Sequence, residues 1–297
     1  MNFCRSAIAV TLLLLASANV GAQEITRITD DGLIKITPQF INGGSDLVYS
    51  VYDNPYRVTL VRRNFADGAV VRVLPTVETH QFGGRMSADG KYLCWIRSLS
   101  NPQLEIVIVD LEAKTEAKYS PLSPRATARN PSFAPDNSRI VFANSGSPHG
   151  QQIASTNLKG KDFKLLTASA GINTSPMYSP DGKKIAFGSS RDGDLEIYVM
   201  NADGSDARRL TKSPRLDTHP VWSPDGKRLA FTSARDGNYE IYVMNADGSG
   251  QVNITRHPEK DDFAAFHPDG KRLVVVSERV GRFDLYMIEL PSKVAVK

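Results

Sequence analysis

A short turn motif recurs along this chain at a constant spacing. Ser-Pro-Asp-Gly-Lys occupies residues 179–183 and again residues 223–227, and His-Pro-Asp-Gly-Lys follows at residues 267–271. A longer stretch repeats as well, since residues 197–204 and 241–248 are identical. Self-similarity at a fixed period of 44 residues is typical of repeat architectures. The repeat therefore constrains the fold more strongly than any other feature of the sequence.

Weaker copies of the same unit extend towards the N-terminus. We take the Asp of Pro-Asp-Gly as a reference position, and the unit then fits at six places spaced 44–47 residues apart. These reference positions are Gly43, Asp89, Asp136, Asp181, Asp225 and Asp269. A large apolar or aromatic residue lies three positions before each of them: Phe40, Met86, Phe133, Tyr178, Trp222 and Phe266. The weak copies thus keep the packing positions even where the turn letters differ.

The chemistry of one unit predicts strands rather than helices. In Ser-Pro-Asp-Gly, proline presets φ, Asp suits the next turn position, and Gly supplies the left-handed residue of a tight hairpin. Asn137 replaces that Gly in the third unit, and Asn tolerates positive φ best after Gly. Short β-prone runs separate the turns, which gives four strands in each unit. We therefore predict an all-β fold, a six-bladed β-propeller with four antiparallel strands per blade.

The sixth unit lacks an outer strand, and the start of the mature chain supplies a candidate for it. Earlier units end with an apolar residue followed by Thr, as in residues 166–167, 210–211 and 254–255. The segment Ile25–Thr29 has the same pattern. We therefore expect residues 25–28 to pair with residues 284–288 and to close the ring.

The N-terminal residues predict export. Arg5 precedes an uncharged, mostly apolar run over residues 7–18, and a small-residue cleavage site lies before Gln23. This pattern indicates a signal peptide over residues 1–22, a single propeller domain over residues 23–297, and a periplasmic location. No other hydrophobic stretch has spanning length, so we expect no membrane span. The formal charge is +4 with both signs interleaved, which does not indicate nucleic-acid binding.

The repeat resembles a known family. Pro-x-aromatic-Ser-Pro-Asp-Gly-Lys, then Ser-x-Arg-Asp-Gly, then Ile-Tyr-Val-Met-Asn-Ala-Asp-Gly is similar to the TolB-type β-propeller repeat, strongly over residues 173–288. TolB is a periplasmic six-bladed propeller preceded by an α/β domain, and its propeller binds the peptidoglycan-associated lipoprotein. The first unit begins at about Leu33, so the resemblance is to the propeller without that α/β domain. It implies a binding role in the cell envelope.

Two sets of loops meet at one mouth of such a propeller: the connections that precede each inner strand and the Arg-Asp-Gly loops. Ligands bind where loops converge on a rigid scaffold. We therefore place the candidate ligand-binding site at this mouth. The candidate residues are Asn173, Asp217, His219, Asp261, Asp262, Arg191, Arg235 and Arg279. Because the three arginines recur, we expect them to pair with carboxylates of adjacent blades. The non-repeating His219, Asp261 and Asp262 are the stronger functional candidates.

Catalytic patterns are weak in this sequence. It contains no Gly-x-Ser-x-Gly motif, and Cys94 occupies a core position that is alanine in later units. His219 is the one histidine expected at the mouth, below the three ligands usual for a catalytic transition metal. We therefore predict no catalytic residue, no metal and no cofactor.

We predict a monomeric, non-enzymatic scaffold that binds an envelope protein or peptide, with a peptidoglycan-associated lipoprotein as a candidate partner. The alternative is a metal-dependent polysaccharide lyase or a carbohydrate-binding propeller that acts at the channel mouth.

Overall fold

The computed structural model describes residues 24–54, 57–74, 79–99 and 103–291, in which 24 strands form six antiparallel sheets of four strands. This confirms the predicted six-bladed propeller. The predicted signal peptide lies outside the described residues. None of the helical segments among the described residues is long and apolar enough to cross a membrane.

Each blade runs from an innermost strand on the central channel to an outermost strand. Blade one contains β2 (Lys35–Ile41), β3 (Asp46–Asn54), β4 (Arg57–Asn64) and β5 (Val70–Arg72). Blade two contains β6 (Phe82–Met86), β7 (Tyr92–Ser98), β8 (Leu104–Asp110) and β9 (Thr115–Tyr119). Blade three contains β10 (Ala128–Phe133), β11 (Arg139–Ser147), β12 (Gly150–Asn157) and β13 (Lys164–Leu165).

The later blades follow the same order. Blade four contains β14 (Asn173–Tyr178), β15 (Lys184–Ser189), β16 (Glu196–Asn201) and β17 (Arg208–Arg209). Blade five contains β18 (Asp217–Trp222), β19 (Arg228–Ser233), β20 (Glu240–Asn245) and β21 (Val252–Asn253). Blade six contains β22 (Asp261–Phe266), β23 (Arg272–Ser277), β24 (Asp284–Glu289) and, as its outermost strand, β1 (Ile25–Arg27).

The hairpin turns have the predicted geometry. In blade four the Gly182 amide donates to the Ser179 carbonyl at 2.9 Å, and Gly182 has a φ of +70°. The Asp181 carboxylate accepts from the Ser179 hydroxyl and the Lys183 amide, so this Asp has a structural role in the turn. Asn137 has a φ of +55°, as predicted for the residue that replaces Gly. The turn residues therefore build the hairpins between first and second strands.

The N-terminal segment closes the ring as predicted. Strand β1 is antiparallel to β24, with Ile25 opposite Ile288 and Arg27 opposite Tyr286. The Thr29 hydroxyl donates to Asp284 at 2.8 Å and accepts the Leu285 amide at 3.0 Å. Blade six is therefore assembled from the two ends of the domain.

The hydrophobic core lies between neighbouring blades. One cluster joins Val48 and Leu60 of blade one to Leu93 and Trp95 of blade two, and every one of these side chains is at most 1% exposed. Burying a side chain of this size contributes about 1.5–3 kcal/mol, so the blades stabilise each other in pairs. Cys94 is also fully buried, and burial raises the pKa of its thiol, as expected for a core residue.

Candidate functional site

Each innermost strand carries a β-bulge at the same place. In blade five, Thr218 pairs with Thr232 and Val221 pairs with Ala230, so two residues lie opposite Phe231 alone. The equivalent register shift occurs in all six inner strands. The first bulged residue of each blade has a φ between +50° and +57°: Thr37, Gly83, Asn130, Ser175, His219 and Phe263. The bulge thus turns one residue per blade out of the strand pairing at the channel.

These six residues form a ring around the narrow part of the channel. The ring lines a small cavity of about 30 Å³, which we call the channel waist. A volume of this size holds little more than one water molecule. The waist therefore separates the channel into two ends that differ in chemistry.

The end that faces the Arg-Asp-Gly loops is a cleft of about 450 Å³, the loop-side cleft. Its lining combines rings with polar groups: Tyr52, His80, Phe82, Ser98, Arg129, Asn130, His219 and Phe263. His80 stacks on Phe82 with ring centroids 5.1 Å apart, and His219 stacks on Phe263 at 4.3 Å. The cleft therefore presents two pairs of stacked rings beside hydrogen-bonding groups.

The structure brings together two of the predicted non-repeating residues. His219 Nδ1 lies 2.9 Å from Asp262 Oδ1, although the two residues belong to neighbouring blades. Burial opposes ionisation of Asp262, but His219, the Thr232 hydroxyl and the Phe263 amide hold the pKa of this carboxyl below its usual value. An ionised Asp262 orients the imidazole, which leaves Nε2 as the ring nitrogen without this carboxylate contact.

The other predicted site residues have a different role. Asn173, Asp217 and Asp261 are fully buried, and none of them lines the waist or the loop-side cleft. Arg235 donates to Asp217 at 2.7 Å, and Arg279 donates to Asp261 at 3.4 Å. Arg191 donates to the Asn173 amide oxygen at 3.2 Å. These six residues therefore form a repeated structural pair in blades four, five and six.

The expectation that these arginines pair with adjacent blades is wrong. Each arginine follows the second strand of its blade. The first and second strands of a blade are antiparallel, so the first residue of the inner strand lies beside the arginine. Aromatic residues of the same blade complete the site, since the Arg235 guanidinium lies 4.4 Å from the Tyr242 ring centroid and 5.6 Å from that of Phe231. The pairs thus stabilise single blades rather than the contacts between them.

The sequence patterns missed several residues of the cleft. His80 and Phe82 were not among the candidates, so His219 is not the one histidine at this mouth. Prolines in the sequence could have predicted the bulges. The second bulged position is a proline in four blades: Pro38, Pro131, Pro176 and Pro220. Proline has no amide to donate and is confined within sheets to edges and bulges.

Potential metal ligands are too dispersed for a metal centre in the described part of the chain. No group of three or more His, Cys, Asp or Glu side chains in residues 24–54, 57–74, 79–99 and 103–291 could hold an ion. His219 and Asp262 contact each other, and His80 instead accepts the Val58 amide at 3.3 Å. These three side chains therefore do not form a shared cluster of metal ligands.

Comparison with known families agrees with the fold. The TolB beta propeller domain family matches residues 147–292, which comprise the outer half of blade three, blades four and five, and blade six without its outermost strand. Over these residues the chain is similar to the TolB β-propeller family, and the fold is that of a TolB-like β-propeller.

Solved structures share this architecture. TolB from Acinetobacter baumannii is 22% identical with a TM-score of 0.65, and the match covers 84% of this chain and 64% of that one. The protein assigned as TolB in Agrobacterium tumefaciens is 20% identical with a TM-score of 0.67, and the match covers 91% of this chain and 100% of that one. An oligogalacturonate lyase in complex with manganese is 17% identical with a TM-score of 0.61, covering 91% and 94%. At these identities the similarity shows the fold alone.

Proposed function

We propose that this chain is an exported, non-enzymatic β-propeller that binds a protein or peptide of the cell envelope in its loop-side cleft. The stacked pair of His219 and Phe263, held by Asp262, is the observation that carries this proposal. Aromatic rings supply contact area with few rotatable bonds, and they are enriched where proteins bind each other. The cleft combines them with amide, hydroxyl and guanidinium groups that can meet a peptide backbone.

The chemistry around His219 favours binding over catalysis. A histidine acting as a general base in acyl transfer needs a nucleophile within hydrogen-bond reach. Among the described residues, Asp262 is the side chain that hydrogen-bonds to His219, and the Cys94 thiol is buried in the core. The repeated arginines and their carboxylate or amide partners are already joined in blade-stabilising contacts. These contacts leave recognition as the function that the cleft supports best.

The signal-peptide pattern of residues 1–22 supports a periplasmic site of action. The TolB-like repeat makes a peptidoglycan-associated lipoprotein a candidate partner. The chain spans 64% of the TolB chain from Acinetobacter baumannii, so the role of that whole protein is itself a proposal here. We propose that the chain acts as a monomer without a cofactor.

Cross-linking in isolated envelopes tests this function. A variant carrying His219→Asn and Phe263→Ser introduces residue types that blades three and four already have at the same left-handed position, Asn130 and Ser175. We expect the wild-type chain to recover a protein partner and the variant to recover about tenfold less, the usual effect of removing a contact worth about 1.4 kcal/mol.

His149→Ala is the matched control, because this histidine is exposed and does not line the cleft. It is expected to recover as much partner as the wild-type chain. Equal recovery by the double variant, or no partner recovered by the wild-type chain after cross-linking, would contradict the proposal.

A further inference from the structure

The opposite end of the channel is a funnel of different character. All six residues three positions before the reference positions line this end, which we call the turn-side funnel: Phe40, Met86, Phe133, Tyr178, Trp222 and Phe266. The funnel has a volume of about 320 Å³. These six large residues, which the sequence predicts as packing positions, therefore also form an apolar wall around an open cavity.

One blade departs from the apolar or neutral pattern at the floor of this funnel. The residue that immediately precedes the wall residue of each blade is Arg85 in blade two. The other blades have neutral side chains at this position: Gln39, Ser132, Met177, Val221 and Ala265. Arg85 lines both the funnel and the channel waist, and it is the one charged residue among those that line the funnel. The funnel thus combines an aromatic wall with a single cation.

The charge of Arg85 is not neutralised by the described part of the protein. Its Nη1 donates to the Pro38 carbonyl at 3.1 Å, and no carboxylate in the described ranges forms an ion pair with it. Burial lowers the pKa of Arg85 to about 10, so the guanidinium is still protonated at neutral pH. A guanidinium has five N–H donors in a planar fork that matches a carboxylate. A partly buried cation without an anion is costly unless a ligand supplies one.

We propose that the turn-side funnel binds a small organic acid, with its carboxylate on the Arg85 guanidinium and an apolar stem against the aromatic ring. The site lies on the other side of the channel waist from the loop-side cleft. The waist admits little more than one water molecule. A ligand in the funnel is therefore not expected to pass through the waist into the loop-side cleft.

Two other polar side chains of the funnel already have hydrogen-bond partners, which favours an aliphatic or aryl stem over a peptide. The Trp222 indole N–H donates to the Met177 carbonyl at 3.1 Å, and the Gln39 amide exchanges two hydrogen bonds with the Met86 backbone at 2.8 and 2.9 Å. A peptide backbone would enter with amide groups that these engaged side chains do not satisfy, which carries a free-energy penalty. An apolar stem has no such requirement.

Binding of octanoate to the full-length mature chain tests the site. Trp222 lines the funnel, whereas Trp95 is buried in the core, so the fluorescence of Trp222 reports on occupancy. Calorimetry gives the affinity, with octanamide as the neutral analogue of the same length. We expect octanoate to bind about tenfold or more tightly than octanamide, because hydrogen bonds to a charged group exceed neutral ones by about this margin.

Two variants separate the charge from the fold. Arg85→Gln is expected to reduce octanoate affinity about tenfold and to leave octanamide unchanged. Arg129→Gln is the matched control, because Arg129 is an exposed arginine at the loop-side cleft, and it should bind octanoate like the wild-type chain. If Arg85→Gln does not fold, the comparison of octanoate with octanamide on the wild-type chain still shows whether the carboxylate contributes to binding.

Three results would overturn the proposal: equal affinity for octanoate and octanamide, an unchanged affinity in Arg85→Gln, or no octanoate binding at millimolar concentration. Tighter binding of a leucine-terminated peptide that is lost on C-terminal amidation would assign the funnel to a peptide terminus instead. Normal octanoate binding by the His219→Asn and Phe263→Ser variant is expected, so failure at one mouth is distinguishable from failure at the other.

Discussion

At the scale of single residues, backbone conformation decides which side chains reach the channel. No other blade has a histidine at the position of His219, yet the first bulged residue of every inner strand has a similar φ, between +50° and +57°. The ring therefore offers six variable positions on a constant backbone. Such positions can change binding chemistry while the strand pairing stays the same.

Glycine occupies this ring position in blade two, and replacing it tests the backbone strain. Gly83 has a φ of +57°, and an added Cβ would lie 3.3 Å from Ile96 Cδ1. We expect Gly83→Ala to lower the free energy of unfolding by about 1–2 kcal/mol, measured by urea denaturation. Gly90→Ala is the control, because Gly90 has a φ of +73° without a close neighbour and so isolates the cost of the backbone conformation. A smaller loss for Gly83→Ala than for Gly90→Ala would contradict this.

The repeated arginine pairs give a second prediction at this scale. Asp217 is fully buried and accepts from Arg235 and from the Ser213 hydroxyl. Removing one partner of a buried ion pair leaves the other charge uncompensated, so Asp217→Ala should lower stability by about 3 kcal/mol.

Thermal and urea unfolding measure this loss, and the cross-linking assay measures binding by the same variant below its unfolding transition. We expect binding to be retained, because Asp217 does not line the loop-side cleft. Loss of binding by a fully folded Asp217→Ala protein would show that this residue belongs to the site after all.

At the scale of elements, a threonine after the outermost strand joins it to the third strand in four blades. The hydroxyls of Thr167, Thr211, Thr255 and Thr29 donate to Gln152, Glu196, Glu240 and Asp284 respectively. The same hydroxyls accept backbone amides of the third strands. The apolar-then-Thr pattern therefore encodes an attachment, and Thr29 makes it between the two ends of the domain.

Thr29→Val tests the attachment that closes the ring. The change keeps the shape but leaves Asp284 Oδ1 and the Leu285 amide without this partner, so we expect a loss of about 1–3 kcal/mol. Thr26→Val on the same strand is the control, because Thr26 is exposed and its replacement should change stability by less than about 0.5 kcal/mol. Limited proteolysis should cut the N-terminal segment faster in Thr29→Val alone. Equal cleavage of both variants would argue against the attachment.

Local patterns predicted the elements well, and contacts between elements much less so. The turn residues, the positive φ of Asn137 and the closing strand depend on short segments whose chemistry is visible in the sequence. The pairing of Arg235 with Asp217 depends on strand register, and the contact of His219 with Asp262 depends on how blades five and six meet. The funnel floor was missed because Arg85 occurs in one blade only and leaves no repeated signal.

At the scale of the whole molecule, the propeller has one continuous channel with unlike ends. The loop-side cleft is lined by stacked rings and polar groups that lie mainly on the first and second strands of the blades, with His80 in the connection before β6. The turn-side funnel is lined by the packing ring, which the blade contacts constrain. The floor position differs in every blade, and Arg85 is the one charged residue among those that line the funnel.

Ring closure also makes the stability of the molecule depend on pH through Asp284. This carboxyl is fully buried and meets Arg27 at 2.6 Å, Thr29 at 2.8 Å and the buried Lys35 at 3.2 Å. Burial opposes its ionisation, but the hydrogen bonds from these three groups and the charge of Lys35 hold the pKa of Asp284 below its usual value. Its stabilising effect is therefore fully present above the unfolded pKa of about 3.9 and is lost as the pH falls through the lower pKa of the folded state.

Asp284→Asn should remove this dependence. We expect about 3 kcal/mol less stability at pH 7, because Lys35 loses a buried anion, and a shallower decline of stability than in the wild-type chain as the pH falls from 5 to 3. Urea unfolding across this range measures both quantities. Asp162→Asn is the control, because Asp162 is exposed and bonded to Arg139, and its pKa is also lowered, but it does not join the ends of the domain. An acid decline in Asp284→Asn as steep as that of the wild-type chain would locate the sensitivity in the turn aspartates instead.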